Sequence, residues 1–396
     1  MQKTTLALMM TSVLLVLSSC QPPPEKSVSS APEPKPEQPE QVEEPSSTQS
    51  LRDAKTPRQL TSALVDISEK KLKDQLICSK LTTTIRAVGS KSEINDVQAL
   101  QHQLRACLPT ADNAQTLQWL ADYQAMYRRF LGADRDWDNG AFYDVMSTLD
   151  QGKTITVAQL RLVNPRIRYL VSLVRSNADV SVQYLGEGVY AFHHDLQAMA
   201  DLFAPYLPED QAVFIERMAK DNQDIFWNDA AITISYYQLI KRAIFWEDYI
   251  KQYPDSYFIK DAENLFNIYR YTLFFGSDNT RWTDDAIREF LGPEYKFLLV
   301  QLSKRQNSSL AKTAQAFLAF MELSDKERLE KYPLADEDGS ISGNVNADDS
   351  KKENAIEQSD IAYYQLKEAL TIPSPWDSHN NKDCLSSITC IDYDVN

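Results

Sequence analysis

Apolar residues recur along most of the chain at helical spacing. Leu60, Leu64, Ile67, Leu72 and Leu76 fall on one face of a 3.6-residue period. Thr56-Pro57 supplies a cap followed by a first-turn proline, so a helix is predicted from there to about residue 88, closed by Gly89. A second starts near Ser92, with Val97, Leu100, Leu104 and Cys107 on one face, and the two read as an antiparallel hairpin. Leu117, Leu120, Tyr123, Tyr127 and Phe130 mark a helix over 112–131, and Phe142, Met146 and Leu149 mark the next. Asn164-Pro165 then splits a helical stretch, with Asn164 as cap. Further helical patterns cover 189–203, 208–227, 229–252 and 255–275, with shorter ones over 283–291, 293–305, 308–323 and 360–370. Val180 to Tyr184 alternate weakly, and Gly186 and Gly188 follow. This stretch reads as a kinked helix junction in preference to a small hairpin.

The polar stretches divide the chain. Lys3 precedes an apolar run from Leu6 to Leu17 that is shorter than the ~20 residues a membrane span needs. The run ends in small residues, so 1–19 reads as an export signal. Residues 20–50 form a linker rich in proline and glutamate. It cannot bury enough apolar surface to fold, and as polyproline II it reaches on the order of 90 Å. Residues 51–331 form a helical domain, 332–358 an acidic flexible loop, and 359–396 a final helix and a cysteine-closed tail.

Charge follows the same division. The net charge is −15. The stretch 51–331 is nearly neutral, so the acidity belongs to the linker and the tail and keeps them solvated. A nucleic-acid partner is excluded on these grounds. Glycine is scarce, 10 residues in 396, which favours helices over turn-rich sheets. Arg52 to Lys91 is biased toward basic residues and reads as a solvated face, the alternative being contact with anionic lipid or polysaccharide.

Leu17-Ser18-Ser19-Cys20 resembles the lipobox of bacterial lipoproteins. That resemblance implies cleavage before Cys20 and acylation of its thiol and of the new amino terminus. Such a multiple-chain anchor is stable. In enteric-type members an Asp after the cysteine favours the inner membrane. Gln21 stands here, which implies an outer-membrane, periplasm-facing location.

A second resemblance is local. Phe245 to Ser256, with Tyr253-Pro254-Asp255-Ser256 at its end and Asp261-Ala262 beyond, is similar to the helix-to-helix joint of tetratricopeptide-like repeats. Pro254 stops one helix, and Asp255 or Ser256 caps the next. No second copy appears at the 34-residue period. The expected fold is all-α: stacked helical hairpins, either a solenoid of this type or an irregular helical bundle.

Candidate chemistry is sparse. Cys78, Cys107, Cys384 and Cys390 are an even set in an exported chain. Closeness in sequence pairs Cys78 with Cys107 and Cys384 with Cys390, and two other connectivities are open. His193-His194-Asp195 lacks metal-binding spacing and reads as a helix surface near its start, with one histidine partly packed. Asp336-Glu337-Asp338-Gly339 resembles part of a calcium loop, but Leu334 and Val345 stand where acidic ligands are required. His379 with Cys384 and Cys390 is a poor zinc set beside a disulfide. Asp284-Asp285 suits a helix start. No catalytic residue, metal site or cofactor motif is assigned. The aromatic stretch Phe226 to Phe275 reads as core, or as the lining of a peptide or glycan groove. The reading is a lipid-anchored, non-enzymatic binding or scaffolding module with an envelope protein, peptide or glycan partner. A structural spacer or assembly factor of the outer membrane is the alternative, and a peptidoglycan-acting enzyme the third.

Overall fold

The computed structural model describes residues 75–133, 140–176, 178–333, 358–376 and 382–392. The export signal, Cys20, the linker, the start of the first helix, most of the acidic loop and His379 lie outside the described residues. Among these residues helices dominate, and three small two-stranded antiparallel pairs interrupt them.

The first helix, α1 (75–87), is followed by α2 (Ile94–Cys107), which buries Val97, Leu100, Leu104 and Cys107. Cys78 is bonded to Cys107 with their Cα atoms 5.5 Å apart. The spans closed by the two disulfides differ, so their effects differ. Replacing Cys78 and Cys107 by Ala is expected to cost about 3–4 kcal/mol in the chain-entropy model, and replacing Cys384 and Cys390 about 2 kcal/mol. Urea unfolding of the two double variants checks the order.

Next come α3 (Asn113–Phe130), α4 (Gly140–Asp150), α5 (Val157–Arg161) and α6 (Pro165–Arg175). Asn164 caps α6 by accepting from the Ile167 N–H at 2.9 Å, with Pro165 in the first turn.

The chain then departs from the all-helical expectation. Strands β1 (Val180–Gly186) and β2 (Val189–His194) form an antiparallel hairpin in place of a kinked junction. Valines and aromatics alternate along both strands, and Glu187 (φ 49°) and Gly188 (φ 79°) make the left-handed turn a two-residue hairpin requires. Gly186 has φ 96°, and a Cβ there would sit 2.5 Å from the Cβ of Asp229. His193 and His194 therefore end a strand, and Asp195 caps α7 (Leu196–Phe203).

After α8 (Glu209–Asp221), a second hairpin joins β3 (Trp227–Asn228) to β4 (Ala231–Ile232) where helix was expected from Asp229. Asp229 and Ala230 supply the turn at φ 50° and 53°. Helix α9 (Tyr236–Gln252) starts only at the Ser235–Gln238 capping box. It packs along α10 (Ile259–Phe275). Ser256 does not cap α10. Its hydroxyl donates to Asp210 Oδ2 at 2.6 Å and meets the Tyr249 hydroxyl at 2.8 Å inside the joint.

The segment 283–291 is an irregular turn and not a helix. Buried Arg328 holds it, donating to the carbonyls of Ala286 (2.7 Å) and Ile287 (2.8 Å). The fold continues through α11 (Pro293–Leu302), α12 (Ser309–Glu322), α13 (Asp325–Lys331) and α14 (Gln358–Leu370). It ends in β5 (Lys382–Asp383) and β6 (Ile391–Asp392).

Two apolar clusters result. The larger runs through most of the helices and includes Trp119, Phe214 and Trp246, each at most 1% exposed. The smaller joins α4, α6 and Tyr190 of β2. Phe192 packs against both, so the first hairpin lies where the two clusters meet.

Candidate functional site

A cleft of about 400 Å³ opens at that meeting point. Tyr127 of α3 and Leu131 just after it, Leu185 of β1, Phe192 of β2 and Met199 of α7 give it a largely apolar wall. Its size suits a ligand pocket.

His194 is the polar centre of the wall. It is buried, 5% exposed. Tyr127 stacks on its ring with centroids 3.4 Å apart, and Tyr123 lies edge-on at 6.4 Å. Neither ring nitrogen has a hydrogen-bond partner. Burial, with a smaller push from His193, lowers its pKa from 6.5 to about 3. The ring is therefore neutral near pH 7, with one donor and one acceptor unmet inside an apolar wall. Each such group costs roughly 1–3 kcal/mol, and native folds leave few of them. Burial also pushes the Tyr123 hydroxyl up to about 12, so it stays protonated, and it accepts from Gln101 at 2.8 Å.

The cysteine-closed loop forms the opposite wall. Cys384 is bonded to Cys390. Gln124, buried on α3, clamps the loop. Its Oε1 accepts from the N–H groups of Ile388 (2.9 Å) and Thr389 (3.1 Å), and its Nε2 donates to the Thr389 carbonyl and hydroxyl, both at 3.1 Å. Gln124→Ala is expected to cost about 2–3 kcal/mol, since it strands several buried groups at once. Amide exchange at Ile388 and Thr389 should rise first.

Asp383 is the only carboxylate among the described lining residues. It is turned into the loop, accepting from the N–H groups of Leu385 (3.0 Å) and Ser386 (3.2 Å) and from the Ser386 hydroxyl. The Ser387 hydroxyl donates to the Asp383 carbonyl at 2.8 Å. His194 thus faces an apolar space, with neither serine hydroxyl directed to its ring. Such an arrangement can enclose an apolar body and hydrogen-bond one polar group. Arg128 adds a positive charge at the lining and pairs with no acid among the described residues.

Of the residues singled out from sequence, His193 and His194 line this site; Cys384 and Cys390 close the loop that walls it without lining it themselves, and the Cys78–Cys107 bridge does not line it. Asp261 lies near the Cys384–Cys390 sulfurs, but those sulfurs are bonded to each other and Asp261 pairs with Lys382 at 3.0 Å. Asp284 is a turn acceptor for the N–H groups of Arg288 and Glu289, and Asp285 pairs with Arg281. Much of the aromatic stretch 226–275 is core, with Trp246, Tyr249, Tyr269 and Phe274 buried. Sequence reasoning missed the cleft walls. The signal for one of them was the alternation on either side of Gly186 and Gly188.

Compared with family models, with curated proteins and with solved structures, the chain has no significant match.

Proposed function

We propose that this protein is a non-enzymatic binding module of the bacterial envelope, held by lipid on Cys20 and projected by its linker. The observation that carries the binding reading is His194. Its ring, with both nitrogens buried and unmet, lines an apolar cleft of ligand size in which Asp383, the one carboxylate among the described lining residues, is turned away into its own loop. The lipobox and the proline-rich segment support the tether. The α9–α10 pair and its Tyr-Pro-Asp-Ser joint support an arrangement of stacked helical hairpins around that cleft.

Two measurements test this. A photocrosslinking residue placed at Leu185, which lines the cleft, should give one reproducible adduct in intact cells. Ala191→Trp, which fills the cleft, should abolish it. A crosslinker at Tyr257, 67% exposed and outside the cleft, should not give that adduct. Identical patterns at both positions would overturn the binding reading. Cys20→Ser should release the protein from membranes, and unchanged fractionation would overturn the anchor.

A further inference from the structure

The apolar cleft also has a polar main-chain rim. Among the described residues the β1–β2 sheet has two strands, so β2 has one edge with no described strand beside it. The Asp195 N–H donates to the Asp179 carbonyl at 3.0 Å, which makes 179 and 195 a hydrogen-bonded pair. Antiparallel pairs alternate in kind. In the observed register, Ser181–His193 and Gln183–Ala191 are then bonded pairs. Val180–His194, Val182–Phe192 and Tyr184–Tyr190 turn their N–H and C=O groups outward. On β2 the outward groups belong to Tyr190, Phe192 and His194. Among the described residues, nothing pairs with the main chain of Tyr190 or Phe192 on that side.

This edge faces the cleft. All five residues from 190 to 194 line it, although successive side chains point to opposite faces of a strand. From β1, only Gln183 and Leu185, on one face, do so. A cavity that touches both faces of one strand wraps that strand's edge.

We infer that the ligand is an extended peptide segment of a partner protein, which adds a third strand along β2. This rests on the reading of the cleft as a binding site. The peptide's main chain pairs with Tyr190 and Phe192, and its alternate side chains enter the apolar wall beside Tyr127 and Leu131. An acidic residue at one end meets Arg128, whose charge has no acid partner among the described residues. A fatty acid or another small amphiphile fits the apolar wall but leaves the outward main-chain groups unpaired.

The test uses the full chain in detergent and three probes. The first is a fluorescein-labelled peptide of alternating valine and threonine with aspartate at both ends. The second is the same peptide N-methylated at alternate residues. The third is dodecanoate, an apolar acid with no main chain. The unmodified peptide should bind, and N-methylation should weaken it by about tenfold or more. Arg128→Gln should weaken it by about threefold. The bound peptide should slow amide exchange at Tyr190 and Phe192, while Ala191 and His193, already in the ladder, change little. Equal binding of the N-methylated peptide would overturn strand addition. So would Tyr190 and Phe192 amides already protected in the free protein. Binding of dodecanoate without the peptide would overturn strand addition and leave the cleft a binding site. Binding of neither probe would overturn both.

Discussion

Between pH 7 and pH 4, His194→Leu is expected to lose roughly 3 kcal/mol less stability than the unsubstituted protein. The sign follows from the direction of the shift. The folded state holds the His194 ring neutral, with a pKa lowered from 6.5 to about 3 by burial and, less strongly, by His193. The unfolded state binds a proton at the ordinary value, so it carries more protons across that window. The contribution is fully present above about pH 6.5 and is lost as pH falls toward 3. At about 1.4 kcal/mol per pH unit, the fall from 6.5 to 4 gives the stated figure. Carboxylates titrate in both proteins, and the difference cancels them. At pH 7 the variant should be as stable as the parent or slightly more so, because an apolar side chain of similar volume removes two unmet polar atoms. Urea midpoints at pH 7, 5.5 and 4 measure this. Parallel curves would mean that the ring is hydrated or paired. If the leucine variant is stable yet loses its ligand, His194 is a binding residue and not a packing residue.

The largest loss at neutral pH is expected from Glu247→Ala, at about 3–5 kcal/mol. Glu247 lies on α9, 4% exposed, with its carboxylate against the first turn of α12. Oε2 accepts from the Ser308 hydroxyl at 2.7 Å and lies 3.3 Å from the Lys251 ammonium. Oε1 accepts from the Ser309 hydroxyl (2.6 Å), the Ser309 N–H and the Leu310 N–H (3.2 Å). A negative charge at a helix start is also favoured by the helix dipole. Burial pushes its pKa up, but hydrogen bonds from Ser309, Ser308 and Leu310 outweigh it, and the net value lies below the usual 4.5. The stabilisation is therefore full above about pH 4.5 and is lost as pH falls through the lowered folded value. Alanine takes this acceptor from the Ser308 and Ser309 hydroxyls and from the Ser309 and Leu310 N–H groups at once. Glutamine keeps one accepting oxygen and should cost less. Thermal melts at pH 7 rank the two, and a loss under 1 kcal/mol for alanine would refute the capping role.

Much of the helical content was legible in the sequence, for a physical reason. One-sided burial imposes the 3.6-residue period directly, and caps such as Asn164-Pro165 act within four residues of themselves. The errors fall where a distant group decides. The turn at 283–291 is held by Arg328, some forty positions away. The start of α9 was displaced by a hairpin whose turn uses Asp229 and Ala230 rather than glycine. The first hairpin was visible as alternation, but five residues of it weigh little against long helical neighbours. The cleft was not legible at all. Its walls come from α3, β2 and the loop after β5, and no local pattern states that Gln124 will meet Thr389. Glu247 likewise looks in sequence like any charged residue on a helix surface.

The Gln124 clamp also sets an order of assembly. Its partners lie 264 and 265 positions further along the chain, among the slowest kinds of contact to form. A chain lacking that late segment keeps the first hairpin but has only half a cleft. The complete cleft thus exists only in a chain made through Thr389, which ties the shape of this wall to the completion of synthesis.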